Sequence, residues 1–158
     1  MSRLIQSFTV LIGAFIIIAC QGDVGPDKSL LIGTWAQQGA AQTDPTLVVE
    51  NAVITYAQDG RSTFNGIMII TENDGIPERF SIAATVGWTL EETVLTRTLQ
   101  DVKVTPDIST PEADELARAL ENAYRNSPPG RLIIETLDAE TLALLDVDTG
   151  TTLTYDRQ

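Results

Sequence analysis

Between residues 79 and 90 two sets of side chains take turns along the chain. Phe80, Ile82, Ala84, Val86, Trp88 and Leu90 fall on one side; Arg79, Ser81, Ala83, Thr85, Gly87 and Thr89 fall on the other. A period of two over that length is the pattern of a strand with one buried and one wet face. Shorter apolar and β-branched segments predict further strands over residues 30–37, 47–57, 62–71, 94–104 (with a bend), 131–137, 141–147 and 151–157. Turn signals divide them, among them Asp59-Gly60 and Asp74-Gly75, the dipeptide favoured in tight hairpins. Strands this close in sequence pair as hairpins, whereas parallel strands need long crossovers. The predicted fold is mainly β: an antiparallel up-and-down barrel of about eight strands, closed so that no edge is left bare.

The period changes once. Near residues 110–126, Ala113, Leu116, Ala117, Leu120, Ala123 and Tyr124 recur at helical spacing, with Glu115, Arg118, Glu121, Asn122 and Arg125 opposite them. Thr110 suits the N-cap and Pro111 the first turn, and Glu112, Asp114 and Glu115 complement the helix dipole. Ser127-Pro128-Pro129-Gly130 ends the pattern. One amphipathic helix, inserted between strands, is expected to pack as a lid. A mobile gate and a partner-docking face are the other roles such a helix could take.

At the start of the chain the pattern is different again. After Arg3 an uncharged apolar run fills residues 4–19 and closes on Ala19-Cys20. It is short for a membrane span, which needs roughly 20 residues, and it has the layout of a secretory signal. Ala19-Cys20 resembles the lipobox of bacterial lipoproteins. The resemblance implies that residues 1–19 are a signal peptide and that Cys20 becomes the lipidated N-terminus. Its palmitate-type acyl chains would then make the membrane a partner, and two or three chains are needed for stable anchoring. Gln21 follows the cysteine, where Asp favours inner-membrane retention. The implied address is therefore the periplasmic face of the outer membrane, with the cell surface or the inner membrane as alternatives. Residues 20–29, with two glycines and a proline, read as the lipidated cysteine and a flexible tether, and residues 30–158 as one barrel domain.

Composition then excludes much chemistry. The chain has no histidine and a single cysteine, the one assigned to lipid. Disulfides, thiolate nucleophiles, Cys/His zinc sites and histidine relays are all ruled out, so no enzyme, no cofactor and no metal is expected. The formal charge is −12, and loss of Arg3 with the signal takes it to −13. Nucleic acid, which needs clustered Lys and Arg, is not an expected partner.

Carboxylates offer little more. Asp148-Thr149-Gly150 matches the triplet of aspartic proteases, but that chemistry needs two carboxylates sharing a proton. Only eight residues follow the triplet, so it reads as a hairpin turn. A loose divalent-cation set of Asp138, Glu140, Asp146 and Asp148 is the alternative use of these acids. Glu91 and Glu92 are adjacent and read as turn residues.

Four further motifs occur in order: Gly33-x-Trp35, Tyr56-x-x-Asp59-Gly60, Gly87-Trp88-x-Leu90 and Tyr155-x-Arg157. Together they resemble the lipocalin-like, calycin-type barrels found among bacterial lipoproteins, over most of residues 30–158. The inserted helix departs from that pattern, in which the helix follows the last strand. The resemblance implies that Trp35 closes one barrel end with Arg157 packed across it, a cation–π contact worth roughly 0.5–2 kcal/mol. Tyr56, Phe64, Met68, Phe80, Ile82, Val86 and Trp88 are the candidate cavity lining, and small Ala52, Gly66 and Ala84 would leave it room. The expected function is binding of a small hydrophobic or amphipathic ligand without catalysis. The alternative is an interaction module that docks onto a cell-envelope protein through Leu116, Leu120 and Tyr124.

Overall fold

Every segment with strand periodicity forms a strand, and each pairs antiparallel with its neighbour in sequence. The computed structural model describes residues 25–44, 46–71 and 75–158. Its elements run α1 (Lys28–Leu31), β1 (Gly33–Gln37), β2 (Ala41–Asp44), β3 (Leu47–Tyr56), β4 (Arg61–Thr71), β5 (Pro77–Glu91), β6 (Val94–Pro106), α2 (Pro111–Arg125), β7 (Gly130–Leu137), β8 (Thr141–Asp146) and β9 (Thr152–Arg157). The apolar run at 4–19, Cys20 and residues 21–24 lie outside the described residues.

The sheet closes through β1. Trp35 stands opposite Arg157 of β9 on one side and opposite Ile54 of β3 on the other. β2 pairs with the first half of β3, Ala41 opposite Val49. β1 and β2 are thus two pieces of one first strand, broken at residues 38–40, where Gly39 takes φ 70°. That left-handed conformation favours glycine, which has no Cβ to clash. Counted together, the two pieces give a closed eight-stranded antiparallel barrel with up-and-down connections.

The wall is uneven, because β5 has 15 residues and β6 has 13, whereas β8 and β9 have 6 each. A bulge bends the tall side: Thr85 faces Asp101 but Val86 faces Leu99, so Gln100 is an extra residue. It shifts the parity of β6, so that Leu95 and Leu99 before it and Val102 and Val104 after it all join the apolar interior.

β6 pairs with β7 only from Val94 to Arg97, against Ile133 to Gly130. Beyond Arg97 the helix α2 stands where a strand would be. Glu121 Oε1 accepts from the Val104 N–H at 2.9 Å, and Arg125 Nη2 donates to the Val102 carbonyl at 2.9 Å. Lys103 and Asp101 supply counter-charges at 3.4 and 3.1 Å. Thr110 caps the helix, its Oγ1 accepting from the Ala113 N–H at 3.1 Å, a contact worth about 1 kcal/mol. Ala113 and Ala117 are buried, and Leu116, Leu120 and Tyr124 pack on the barrel beside them. Ala123, grouped with them by periodicity, is exposed. It lies about 80° round the helix from Ala113, beyond the contacting arc.

The interior divides into two apolar clusters. One gathers Leu31, Trp35, Ile54, Tyr56, Trp88, Leu142 and their neighbours at the end where α1 sits. The other joins Met68, Phe80, Ile82, Val102 and Val104 to Ala117 beneath α2, and Phe64 packs against both. The stretch read as tether is shorter than expected. Asp27 caps α1, accepting from the Ser29 N–H at 2.9 Å, and Lys28 Nζ lies 4.7 Å over the Trp88 ring. Residues 27–29 belong to the folded unit because a helical turn there plugs the barrel end.

Glu121→Ala is expected to lower stability by about 1–2 kcal/mol in urea denaturation, since it frees a β6 amide. Glu121→Gln, which keeps an acceptor, should lose less. The Val104 N–H, then Lys103, holds the Glu121 carboxyl below its ordinary 4.5. Its charge therefore stabilises the fold above that value, and the gain fades as pH falls through the lowered folded-state value. The stability gap between wild type and Glu121→Gln should narrow in acid over that window.

Candidate functional site

One barrel end is sealed by a single device. Trp35 is fully buried, and its Nε1 donates to the Leu31 carbonyl at 2.8 Å. The Arg157 guanidinium carbon lies 4.4 Å from the Trp35 ring centroid. Arg157 Nη1 donates to the Ile32 carbonyl at 3.0 Å and Nη2 to the Leu30 carbonyl. The arginine thus stacks on the indole and satisfies carbonyls at the end of α1. Gly33 makes room for it: φ is 138°, and a Cβ would lie 2.5 Å from Arg157 Nη1. Beside this seal Tyr56 meets Trp88 edge to face with ring centroids 5.7 Å apart, and Trp88 Nε1 donates to the Arg61 carbonyl at 2.9 Å.

Above the seal the packing opens. An apolar chamber of about 200 Å³ lies between the two clusters, lined by Val49, Phe64, Ile82, Ala84, Val86, Arg97, Leu99, Val102 and Tyr124. Gly66 shapes its wall: a Cβ there would lie 3.1 Å from Phe64 Cζ, so the missing side chain lets the ring settle. Tyr124 closes the roof from α2, its hydroxyl donating to Met68 Sδ at 3.6 Å. A second cavity of about 220 Å³ shares Val86, Arg97, Leu99 and Tyr124 with the chamber and runs outward where β6 and β7 part. A larger depression of about 430 Å³, flanked by exposed Ile76 and Ile108, lies at the far rim between the start of β5 and α2.

Two buried polar atoms, Tyr56 Oη and Arg97 Nε, have no hydrogen-bond partner among the described residues. Burial pushes the Tyr56 phenol above its ordinary value, and the positive charge of Arg97 opposes that rise. Burial also pushes Tyr155 up to about 12, again against the pull of Arg97.

The candidate residues from the sequence divide clearly. Phe64, Ile82 and Val86 line the chamber, as does small Ala84. Tyr56, Met68, Phe80 and Trp88 are packed as core. Trp35 and Arg157 are in contact at the closed end. Arg97, Leu99, Val102, Val49 and Tyr124 were missed as lining. A barrel register would have found Arg97, because it stands opposite inward-facing Trp88.

The acidic candidates are turn residues at opposite ends of β8. Asp138 Oδ1 accepts from the N–H groups of Glu140 and Thr141, both at 2.8 Å, and these bonds hold its carboxyl below its ordinary value. Asp146 Oδ1 accepts from those of Asp148 and Thr149 at 2.9 and 3.1 Å, with Gly150 at φ 69° completing the hairpin. Among the described residues no group of three or more His, Cys, Asp or Glu side chains is placed to hold a metal ion.

Eight antiparallel strands in up-and-down order form a closed barrel, one end of which is sealed by a tryptophan with an arginine across it. Among solved structures the chain is similar to a lipocalin-like protein from Bacteroides uniformis, with 17% identity and a TM-score of 0.44, over 82% of this chain and 99% of that one. No protein-family model and no curated protein matches it.

Gly33→Ala is expected to destabilise the barrel by about 1–3 kcal/mol, through backbone strain and collision with Arg157. Arg157→Met should cost about 1–3 kcal/mol by stranding two carbonyls. Because removing the guanidinium relieves the collision, the double variant should lose less than the sum. Urea denaturation of the four proteins closes the cycle.

Proposed function

We propose that this protein is a lipid-anchored barrel of the periplasm that binds one small hydrophobic or amphipathic molecule and does not transform it. The observation that carries the reading is the apolar chamber of about 200 Å³ beneath α2. Most drug-sized sites occupy roughly 300–1,000 Å³, so this one suits a short apolar chain. The absence of histidine and of any second cysteine supports a binding role over catalysis. The face of α2 that could have docked a partner, Leu116, Leu120 and Tyr124, is packed against the barrel, which favours the ligand reading.

The sequence supports the address through its charged start, its apolar run and Ala19-Cys20. The chain enters the fold at the sealed end, where Gly25 approaches the Glu92 backbone. Gly25 is five residue steps from Cys20, a reach of about 17 Å when extended. An anchor there would hold the sealed end toward the bilayer and present the α2 end to the periplasm.

Native mass spectrometry of protein purified from its own host should reveal a bound apolar molecule. Ala84→Leu, which fills the chamber, should weaken binding of octanol at least about tenfold without loss of stability. Unchanged octanol binding in that variant would place the ligand elsewhere. For the anchor, Cys20→Ser should abolish incorporation of labelled palmitate and release the protein from membranes.

A further inference from the structure

Apolar side chains scattered singly over a surface need no explanation. Among the described residues three large ones are exposed, Ile76, Ile108 and Val147, and two of them share one place. Ile76, 66% exposed, and Ile108, 78% exposed, flank the depression of about 430 Å³ at the far rim. Ile76 directly precedes β5, and Ile108 lies in the connection from β6 to α2. Between them the fully buried Phe80 and Ala113 of α2 complete an apolar lining.

The lining is held in advance. Pro77 and Pro106 fix the backbone on its two sides. Phe80 stands opposite Pro106, and the Asp107 N–H donates to the Arg79 carbonyl at 2.9 Å, carrying the ladder one step beyond β6. A site built this way loses little freedom when it is filled. Flanked by exposed side chains, it suits the anchor residue of a partner, the kind of contact that dominates protein interfaces.

Charge selects the partner. Glu78 and Asp107 line the depression together with one cation, Arg79, which Asp107 at 3.5 Å and Glu50 at 3.8 Å already share. Glu78 has no ion pair among the described residues. Glu112 and Asp114 follow in the first turn of α2. The rim is thus acidic, on a chain of net charge −12. A second copy would set acid against acid, and anionic headgroups would be repelled too, whereas a basic segment gains from the same field. Residues 20–24 cannot be the occupant. Gly25 meets Glu92 just past one end of β5, and Ile76 just precedes the other, so roughly 45 Å of strand separates them.

We propose that this rim docks a basic segment of another protein. One large apolar side chain fills the depression between Ile76 and Ile108, and a lysine or arginine beside it pairs with Glu78. The site is separate from the apolar chamber and stands whether or not the chamber is filled.

The test is fluorescence anisotropy with the full chain carrying Cys20→Ser and three labelled heptapeptides. These are Ser-Lys-Leu-Trp-Lys-Ser-Gly, the same with Glu for both Lys, and the same with Ser for Leu and Trp. The first should bind at least about tenfold tighter than either of the others. Ile108→Ser should weaken it about tenfold, and Glu78→Gln about threefold with a shallower salt dependence. Val147→Ser, at the remaining exposed apolar residue, and Ala84→Leu, which fills the chamber, should leave it unchanged. Absent binding, equal binding of the first peptide and its glutamate counterpart, or an unchanged affinity in Ile108→Ser overturns the proposal. Loss of peptide binding in Ala84→Leu overturns it as well, by moving the peptide into the chamber. Sedimentation velocity and flotation with phosphatidylethanolamine–phosphatidylglycerol vesicles check the rival occupants: dimers or vesicle binding that Ile108→Ser abolishes would give the rim to a second copy or to lipid.

Discussion

Past Arg97, β6 keeps β5 on one side but, among the described residues, has no strand on its β7 side, and an unpaired edge of that length in an otherwise closed barrel must be covered. The chain solves this with side chains from a helix in place of a strand. Glu121 accepts the Val104 amide, Arg125 donates to the Val102 carbonyl, and the apolar side of α2 covers the inner surface of the taller wall. A helix is wider than a strand and cannot interdigitate as closely with the opposite wall. The space left beneath it is the apolar chamber, and the parting of β6 from β7 is the chamber's way out. The inserted helix, the cavity and its mouth are therefore consequences of one interrupted ladder.

The barrel's two ends are held by different physics. At the sealed end rigid aromatic groups are locked by directional bonds: Trp35 to Leu31, Arg157 to two carbonyls, Trp88 to Arg61. Few alternative packings satisfy so many polar groups at once, so this end is specified tightly. Under α2 the contacts are mostly aliphatic, with Met68 and Leu120 among them. Non-directional contacts of this kind tolerate adjustment, and methionine adapts to irregular gaps. The half of the barrel that can yield is the half that encloses the chamber.

Much of this architecture was legible along the chain. Strand periodicity in residues 79–90, the Asp59-Gly60 turn and the Thr110-Pro111 helix start are local signals, and each corresponds to an element. The contact of Trp35 with Arg157 has no local signal, since it joins residues near the two ends of the barrel segment. The split of the first strand at Gly39 was missed, because one glycine among polar residues reads as an ordinary loop. Arg97 was missed for a deeper reason. Among Thr96, Thr98 and Gln100 an arginine reads as part of a solvated strand face, and the bulge at Gln100 further blurs which residues share a side.

What the sequence determined by itself is what depends on neighbours within a few residues: periods, caps and turns. Tertiary structure alone decided which inward positions became core and which became cavity. That outcome depends on register across β5 and β6, on where β6 leaves β7, and on how far α2 stands off the wall. These are distances between residues remote in the chain, and hydrophobicity, being non-directional, favours burial without saying against what. Hence Tyr56 and Trp88 could be recognised as interior, but the place of Arg97, opposite Trp88, emerged only when the barrel closed.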